Sequence, residues 1–274
     1  MPNRMMKSAI LSTIVLSLAG CGKATSVAPV ASPPPPPEIM LYCGAAFRKP
    51  AEEAVAAFEK TEGCRVIVDY AGSETLLSRI KLSRQGDVYW PGDSYYSDLA
   101  EKEGLISVGS RKTVAYFVPC IFVARGNPKG VKSLPDFLRD DVRAGLGNPK
   151  ACAIGKTSEE LFKKNGIPWE KIGPQLRFQS ATVNELGTQI QTGSLDAVVL
   201  WDAIAAMYAE HGEMVAIPVE QNIVVTVDMG VLTFAKNPGA AAKFVDFMTS
   251  EKGREILKKH QFRVDAPSGS PGKP

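Results

Sequence analysis

Short apolar segments alternate with helical patterns along most of the chain, and this alternation restricts its fold more than any other feature. Ile39–Cys43 is predicted as a strand and Pro50–Thr61 as a helix that ends at Gly63. Alternating apolar residues at 66–70 predict a second strand, after which Ser73 is suited to cap a second helix. Strands that alternate with helices build open, largely parallel sheets with helices on their faces. The sequence therefore predicts an α/β fold.

Two long apolar runs divide this pattern into two lobes. Val114–Ala124 is apolar throughout apart from Pro119, and it predicts one long strand that crosses from a first lobe to a second. The run 222–235 predicts the return crossing. A chain of 274 residues suits two lobes of roughly 100 residues each. The expected bounds are 38–118 plus 226–264 for lobe 1 and 119–225 for lobe 2, with a cleft between the lobes.

The N-terminal segment 1–21 reads as an export signal. Arg4 and Lys7 precede an apolar stretch, Ala9–Gly20, which is too short to span a bilayer as a helix. The residues Leu-Ala-Gly-Cys at 18–21 resemble a bacterial lipobox, which implies that Cys21 becomes the lipidated first residue of the mature protein. A cleaved signal peptide with an incidental cysteine is the alternative.

A spacer follows the expected anchor. Residues 22–37 are rich in Ala, Ser, Val and Pro and end in five consecutive prolines, which form an extended spacer of about 3 Å per residue. An anchor and a spacer predict a domain held beside the membrane on the periplasmic or extracytoplasmic side, an oxidising compartment. The remaining cysteines are predicted as buried hydrophobes; they are Cys43, Cys64, Cys120 and Cys152. We expect 265–274 to be a disordered tail.

Several function classes are not supported by the residues present. A net charge of +3 with scattered Lys and Arg does not suggest a nucleic-acid-binding protein. Neither His211 nor His260 lies near a predicted strand end, so a histidine-based catalytic triad has no natural base. The segment 153–158 ends like a phosphate-binding P-loop, but Lys150 stands where that motif needs its first glycine. We expect neither an enzyme nor a resident cofactor.

Small and neutral residues follow several predicted strands, where open α/β sheets bind ligands. These segments are GAA at 44–46, AGSE at 71–74, NPKACAIG at 148–155 and LWDA at 200–203. Helix N-termini there would present free N–H groups and the positive end of the helix dipole, which together bind anions without a full charge. Two or three of them converging across a cleft would hold a small oxyanion. For the first segment, a tight turn with nothing bound is the alternative.

Three segments together resemble the molybdate-binding proteins of bacterial ABC transporters and their archaeal tungstate-binding relatives. The segments are 41–80, 86–106 and 193–205, and the likeness runs in order from about Glu38 to Val264. The resemblance implies a two-lobed periplasmic binding protein of type II, with two hinge crossings. Such a protein would close on molybdate or tungstate and deliver it to an ABC transporter permease. We expect a monomer that meets the membrane only through its lipid anchor.

The resemblance also assigns the oxyanion contacts. A serine of the family corresponds to Ala46, which offers only its backbone N–H, and a second serine corresponds to Ser73. Backbone N–H contacts correspond to Ile154 and Val183. A tyrosine hydroxyl corresponds to Trp201, whose indole N–H donates a hydrogen bond but cannot accept one. The metal-coordinating carboxylates of the archaeal relatives have no counterpart here, so no cation site is expected.

Four nearby residues leave the ligand more open than the fold. Arg48 either neutralises a dianion or is a solvated surface arginine, and Asn184 adjoins Val183 as a further candidate ligand. Glu74 either points to solvent or lines the pocket, where it would repel a fully ionised oxyanion. Whether Cys152 touches the ligand is open.

Two other functions are compatible with this sequence. Tyr95 and Tyr96 are similar to iron-binding phenolates, so a ferric iron or other metal-complex binding protein of the same fold is one alternative. No histidine accompanies these tyrosines. The second alternative is a lipoprotein that serves as a sensor or structural protein and transports no solute.

Overall fold

The computed structural model describes residues 36–267. The predicted export signal, Cys21 and most of the proline-rich spacer lie outside the described residues, as do the last seven residues of the predicted tail. Asp265, at the start of that tail, forms an ion pair with Arg254. Between residues 36 and 267, no helix combines the length and hydrophobicity that a bilayer crossing requires.

The described residues form strands and helices in alternation. The strands are β1 (Glu38–Gly44), β2 (Arg65–Ala71), β3 (Val88–Trp90), β4 (Lys112–Phe117), β5 (Pro119–Ala124), β6 (Ala144–Gly147), β7 (Phe178–Ser180), β8 (Ala197–Trp201), β9 (Gly212–Val215) and β10 (Val225–Val231). The α-helices are α1 (Arg48–Glu62), α2 (Ser73–Ser83), α3 (Ser94–Lys102), α4 (Ala153–Lys164), α5 (Trp169–Ile172), α6 (Val183–Gln191), α7 (Asp202–Met207), α8 (Pro238–Thr249) and α9 (Glu251–Lys259).

Each lobe is built on one five-stranded mixed sheet. The strand order is β2-β1-β3-β10-β4 in lobe 1 and β7-β6-β8-β5-β9 in lobe 2. In each sheet three neighbouring strands are parallel, and the remaining two join through antiparallel pairing. The closing helices α8 and α9 pack on lobe 1, against β10 and α1. The predicted two-lobed α/β architecture is confirmed.

The predicted single strand over Val114–Ala124 is wrong. The chain leaves the first sheet after Phe117, which pairs with Val225, and enters the second sheet at Pro119, which pairs with Trp201. Val118, between the two, donates its N–H to Asp202 Oδ1 at 3.3 Å instead of joining a ladder. The hydrophobic pattern could not reveal this break, because buried strands are apolar on both sides of it.

The return connection lies beside the outward one. The predicted crossing at 222–235 is too long, because β10 already pairs with β3 and β4 in lobe 1 from Val225 onward. Asn222 donates its side-chain N–H to the carbonyl oxygen of Pro119 at 2.8 Å, which ties the two connections together. The hinge therefore consists of two short extended segments linked by a hydrogen bond.

The first helix begins earlier than predicted. A single 3-10 turn, Ala45–Phe47, follows β1 and runs directly into α1 at Arg48, two residues before Pro50. Gly63 ends the helix as predicted, in the left-handed conformation with φ of 61°. Because the turn starts at once after β1, residues 44–46 lie at the carboxyl edge of the sheet.

Aromatic rings connect the two lobes beneath this edge. Phe47 stacks on Trp90 with ring centroids 4.4 Å apart, and it also lies 5.3 Å from Phe117. Phe117, the last residue of β4, stacks on Trp201 of lobe 2 at 4.7 Å with an interplanar angle of 5°. These contacts hold the aromatic side chains in place beneath the end of the cleft.

Candidate functional site

A small cavity lies between the lobes where strands of both sheets end. It is lined by Gly44, Ala45, Ala46, Ala71, Gly72, Ser73 and Gly92 of lobe 1, and by Cys152, Ala153, Ile154, Thr182, Val183 and Trp201 of lobe 2. The space that the centre of a water-sized sphere can reach inside it is about 20 Å³. Because this volume counts only positions of the centre of the sphere, the cavity accommodates a compact group of a few atoms.

Four helical segments begin at this cavity, and none of them has a side-chain cap. The residues before their first turns are Gly44, Gly72, Cys152 and Thr182, and no side chain of these four accepts a hydrogen bond from the helix that follows. By contrast, Asp93 caps α3 and Ser250 caps α9. The first N–H groups of an uncapped helix need partners from elsewhere. The cavity is therefore surrounded by hydrogen-bond donors and by the positive ends of helix dipoles.

The structure brings the five principal candidate residues to this one cavity. Ala46 and Ser73 line it from lobe 1, and Ile154, Val183 and Trp201 line it from lobe 2. Ala46 lies in the 3-10 turn before α1, while Ile154 and Val183 belong to the first turns of α4 and α6. Residues that are more than 100 positions apart in the chain thus meet around the same space.

The hydroxyl of Ser73 is oriented by its surroundings. Ser73 is 2% exposed, and its Oγ accepts the N–H of Gly92 at 2.9 Å. The Tyr89 hydroxyl donates to the Ser73 carbonyl oxygen at 2.8 Å and fixes the backbone at the same point. A hydroxyl has one hydrogen to donate. With Gly92 on an acceptor lone pair, that hydrogen is left for another partner.

Trp201 is held by stacking. Its side chain is 1% exposed, and its ring lies nearly parallel to that of Phe117, which leaves the indole little freedom to turn. Thr182, another polar side chain at the cavity, already donates its hydroxyl to Glu185 Oε1 at 2.9 Å. The indole N–H of Trp201 and the hydroxyl of Ser73 are therefore the side-chain donors that the two lobes can offer.

The cavity contains no formal charge, since each of its lining residues is neutral. Arg48 is not among them: its guanidinium lies 4.0 Å from the ring centroid of Tyr70 and 3.8 Å from Glu52. Glu74 is not among them either, and it lines a separate, larger groove. An anion in the cavity would therefore interact with dipoles and N–H groups alone. Cys152 does line the cavity, and burial raises the pKa of its thiol to about 12.

The two tyrosines of the iron alternative also lie in the larger groove, with Glu74, Lys156 and Glu159 among its other lining residues. Tyr96 is buried and its pKa is raised by burial. Among residues 36–267, no cluster of three or more His, Cys, Asp and Glu side chains could hold a metal ion.

Contacts between the lobes are the features that sequence reasoning missed. Asn184 donates one of its two side-chain N–H groups to the carbonyl oxygen of Ala45 at 2.7 Å, and its contact with a ligand stays a prediction. Thr157 Oγ1 donates to Asp93 Oδ2 at 3.0 Å. No local pattern in the sequence pairs Asp93 with a residue of the other lobe.

Gly72 is the closest point of approach between the lobes. A Cβ atom at this position would collide with the carbonyl oxygens of Ala151 and Ala181, which belong to lobe 2. Only glycine allows the first turn of α2 to reach this close to the opposite lobe. The glycine before Ser73 is therefore a requirement of the closed arrangement.

The chain matches the family model of the bacterial extracellular solute-binding proteins over residues 39–263. A protein of Haemophilus influenzae described as a binding protein is 27% identical over 226 residues, which are 82% of this chain and 90% of the relative. The molybdate-binding protein ModA of Mycobacterium tuberculosis is 24% identical over 258 residues, which are 92% of this chain and 95% of the relative.

Solved structures show the same fold with more than one ligand. The periplasmic molybdate-binding protein of Azotobacter vinelandii has a TM-score of 0.70 at 17% identity, covering 83% of this chain and 100% of its own. The sulfate-binding protein SubI of Mycobacterium tuberculosis has a TM-score of 0.72 at 18% identity, covering 85% and 89%. At these identities the likeness establishes the fold and leaves the ligand to the chemistry of the site.

Gly72→Ala is expected to hold the lobes apart, because the added methyl group meets the Ala151 and Ala181 carbonyl oxygens. Small-angle X-ray scattering should give a larger radius of gyration than that of the wild-type protein under conditions in which the latter is closed. Gly239→Ala is the matched control, since a Cβ atom there meets nothing within 4 Å. Equal radii for Gly72→Ala and wild type would contradict this role of Gly72.

Proposed function

The chain belongs to the bacterial extracellular solute-binding proteins, and we propose that it is the solute-binding component of an ABC importer for molybdate or tungstate. The observation that carries the proposal is the uncharged cavity at which four helical segments begin without side-chain caps. The ModA relatives, whose names state that they bind molybdate, support the choice of ligand.

The arrangement suits a dianion. A helix N-terminus carries a partial charge of roughly half an elementary charge, so four of them together offset about two negative charges. Hydrogen bonds to an ionised acceptor are about twice as strong as neutral ones, and closure of the lobes removes the water that would compete with them. A tetrahedral oxyanion offers four oxygen atoms to donors that arrive from both lobes.

The donors also select the protonation state of the ligand. Ser73 already uses an acceptor lone pair for the Gly92 N–H, and backbone N–H groups and the Trp201 indole cannot accept. An anion that carries a proton, as phosphate does near neutral pH, would bring an O–H group for which, among these donors, only the second lone pair of Ser73 is left. Molybdate, tungstate and sulfate carry no such O–H group. The affinity among these three therefore depends on their size and on the distance at which the lobes close.

Delivery to the transporter follows from the family and the N-terminal sequence. In this proposal residues 1–21 direct export, Cys21 carries the lipid anchor, and the proline-rich spacer holds the domain beside the membrane. The protein works as a monomer and has no resident cofactor. It captures its anion outside the cytoplasm and passes it to an ABC transporter permease.

Thermal unfolding against a ligand panel tests the proposal. The panel contains molybdate, tungstate, sulfate, phosphate and ferric citrate. A ligand at 100 times its Kd adds about 2.7 kcal/mol of stability, which raises the Tm of a chain this size by several degrees. We expect such a shift with molybdate or tungstate and a smaller one with sulfate. No shift with either metal oxyanion would exclude the proposed ligand, and a shift with ferric citrate alone would point to the tyrosines of the larger groove.

Ser73→Ala should weaken binding of molybdate, because it removes a hydrogen bond to a charged ligand that is worth roughly 1.5–3 kcal/mol. It also leaves the Gly92 N–H without its acceptor. Isothermal titration calorimetry should show an increase in Kd of about tenfold or more. Ser158→Ala is the control, since Ser158 is equally buried, forms no hydrogen bond within residues 36–267 and does not line the cavity. Equal Kd values for the two variants would remove Ser73 from the set of ligand contacts.

Substitutions of Trp201 separate its role as a donor from its role in packing. Trp201→Ala loses both the indole N–H and the stack on Phe117, whereas Trp201→Tyr keeps a ring and a hydroxyl donor. We expect Trp201→Ala to raise the Kd for molybdate more than Trp201→Tyr does. Trp201→Phe, with a ring and no donor, should fall between them. Equal Kd values for Trp201→Tyr and Trp201→Phe would show that Trp201 only packs.

A further inference from the structure

A buried carboxylate connects the two lobes beside the cavity. Asp93 caps α3 in lobe 1, and Thr157 lies on α4 in lobe 2; their side chains are 8% and 1% exposed. The hydroxyl of Thr157 donates to Asp93 Oδ2 at 3.0 Å, and the N–H of Tyr95 donates to Oδ1 at 2.8 Å. Gly92, the residue before Asp93, lines the cavity. The carboxyl group therefore lies both at the lobe interface and next to the cavity.

Asp93 has no cationic partner in the described part of the chain. The titratable groups that act on it or that it acts on are Tyr89 on β3, Tyr96 and Asp98 on α3 and Glu160 on α4. The nearest lysine of α4, Lys156, is paired with Glu159 and Glu160. Arg111, the residue before β4, donates to the Ser94 carbonyl oxygen and is paired with Asp98, Glu101 and Asp228. The acids that act on Asp93 disfavour its ionised form.

Closure changes the surroundings of this carboxyl group. Burial raises the pKa of Asp93 to about 7, although Tyr95 and Thr157 donate hydrogen bonds to it. Thr157 belongs to the opposite lobe, so separation of the lobes takes that cover away and admits water. In water an aspartate has a pKa near 3.9. The closed lobes therefore bind a proton that the open lobes release, and a dianion beside Gly92 favours the neutral carboxyl further.

We propose that Asp93 and Thr157 form a proton-linked latch, and that the protein closes on its anion together with one proton, which Asp93 takes up. The inference rests on the proposed function for its ligand, since an anion of charge −2 makes uptake of the proton favourable. Closure raises the pKa of the Asp93 carboxyl group. Its contribution to the stability of the closed state is therefore complete at low pH and is lost as the pH rises through about 7. Asp93 and Thr157 are positioning residues, because they act through the lobes and not on the anion.

Calorimetric titration of the full chain with molybdate tests the latch. At pH 6, in buffers of different ionisation enthalpy, the wild-type protein should take up most of one proton per anion bound. Its affinity should fall at least tenfold between pH 5.5 and pH 8, in the window set by the two pKa values. Asp93→Asn, which retains an oxygen to accept from Thr157 or Tyr95, should take up no proton and show no fall. The same proton uptake in Asp93→Asn would overturn the proposal.

Two further variants distinguish a latch from general structural damage. Asn184→Ala breaks a different interlobe hydrogen bond, to the Ala45 carbonyl oxygen, without removing a titratable group. It should weaken binding at every pH and leave proton uptake unchanged. Thr157→Val removes the hydroxyl that reaches Asp93 and should weaken binding while Asp93 still titrates. A loss of proton uptake in Asn184→Ala would show that the uptake does not belong to Asp93.

Failure of the latch and failure of the proposed ligand give different results. If molybdate and tungstate do not bind, the function is wrong, and the latch is then tested on the ligand-free protein by small-angle scattering. The wild-type radius of gyration should be larger at pH 8 than at pH 5.5, and that of Asp93→Asn should be the same at both. Two results together contradict the latch. The wild-type radius of gyration does not change with pH, and the protein takes up no proton when it binds an anion.

Discussion

The uncapped helix starts are the constraint on which the rest of this structure depends. A helix that begins without a side-chain acceptor leaves polar N–H groups in need of partners, and here four such starts face one cavity. Small residues at the strand ends follow from this, because larger side chains would fill the space or keep the backbone away. On the proposed function, the bound anion serves as the shared cap of all four segments and pulls the two lobes together.

The hinge and the latch share the work of closure. The two connections between the sheets are short and are tied by Asn222 to Pro119, so bending there disturbs few contacts. The closed arrangement is held near the cavity by the Asn184 and Thr157 hydrogen bonds and by the close approach at Gly72. These contacts are few and lie close to the ligand site. A small anion can therefore change the energy balance between the open and closed lobes.

The lobes were predictable from sequence, whereas the contacts between them were not. Alternating strand and helix patterns predicted both sheets, and Gly63 predicted the end of α1, because each depends on neighbours in the chain. The break at Val118 escaped because residues on either side of a sheet switch are equally apolar. The candidate site residues came from resemblance to a family and not from periodicity. Asp93 and Thr157 are 64 residues apart, so only the folded lobes show that they meet.

Selectivity in such a site lies mainly in geometry. Where the resemblance to molybdate-binding proteins implies two hydroxyl groups, this chain has Ala46, which contributes backbone alone, and Trp201, which is held flat against Phe117. Backbone donors cannot be exchanged by substitution, so evolution can tune them only by moving the segments that carry them. The distance between α2 and the helices α4 and α6 at closure, limited by Gly72 against Ala151 and Ala181, then decides which oxyanion contacts both lobes at once. A larger anion would meet all donors where a smaller one leaves part of them unpaired, and an unpaired buried donor costs about 1–3 kcal/mol.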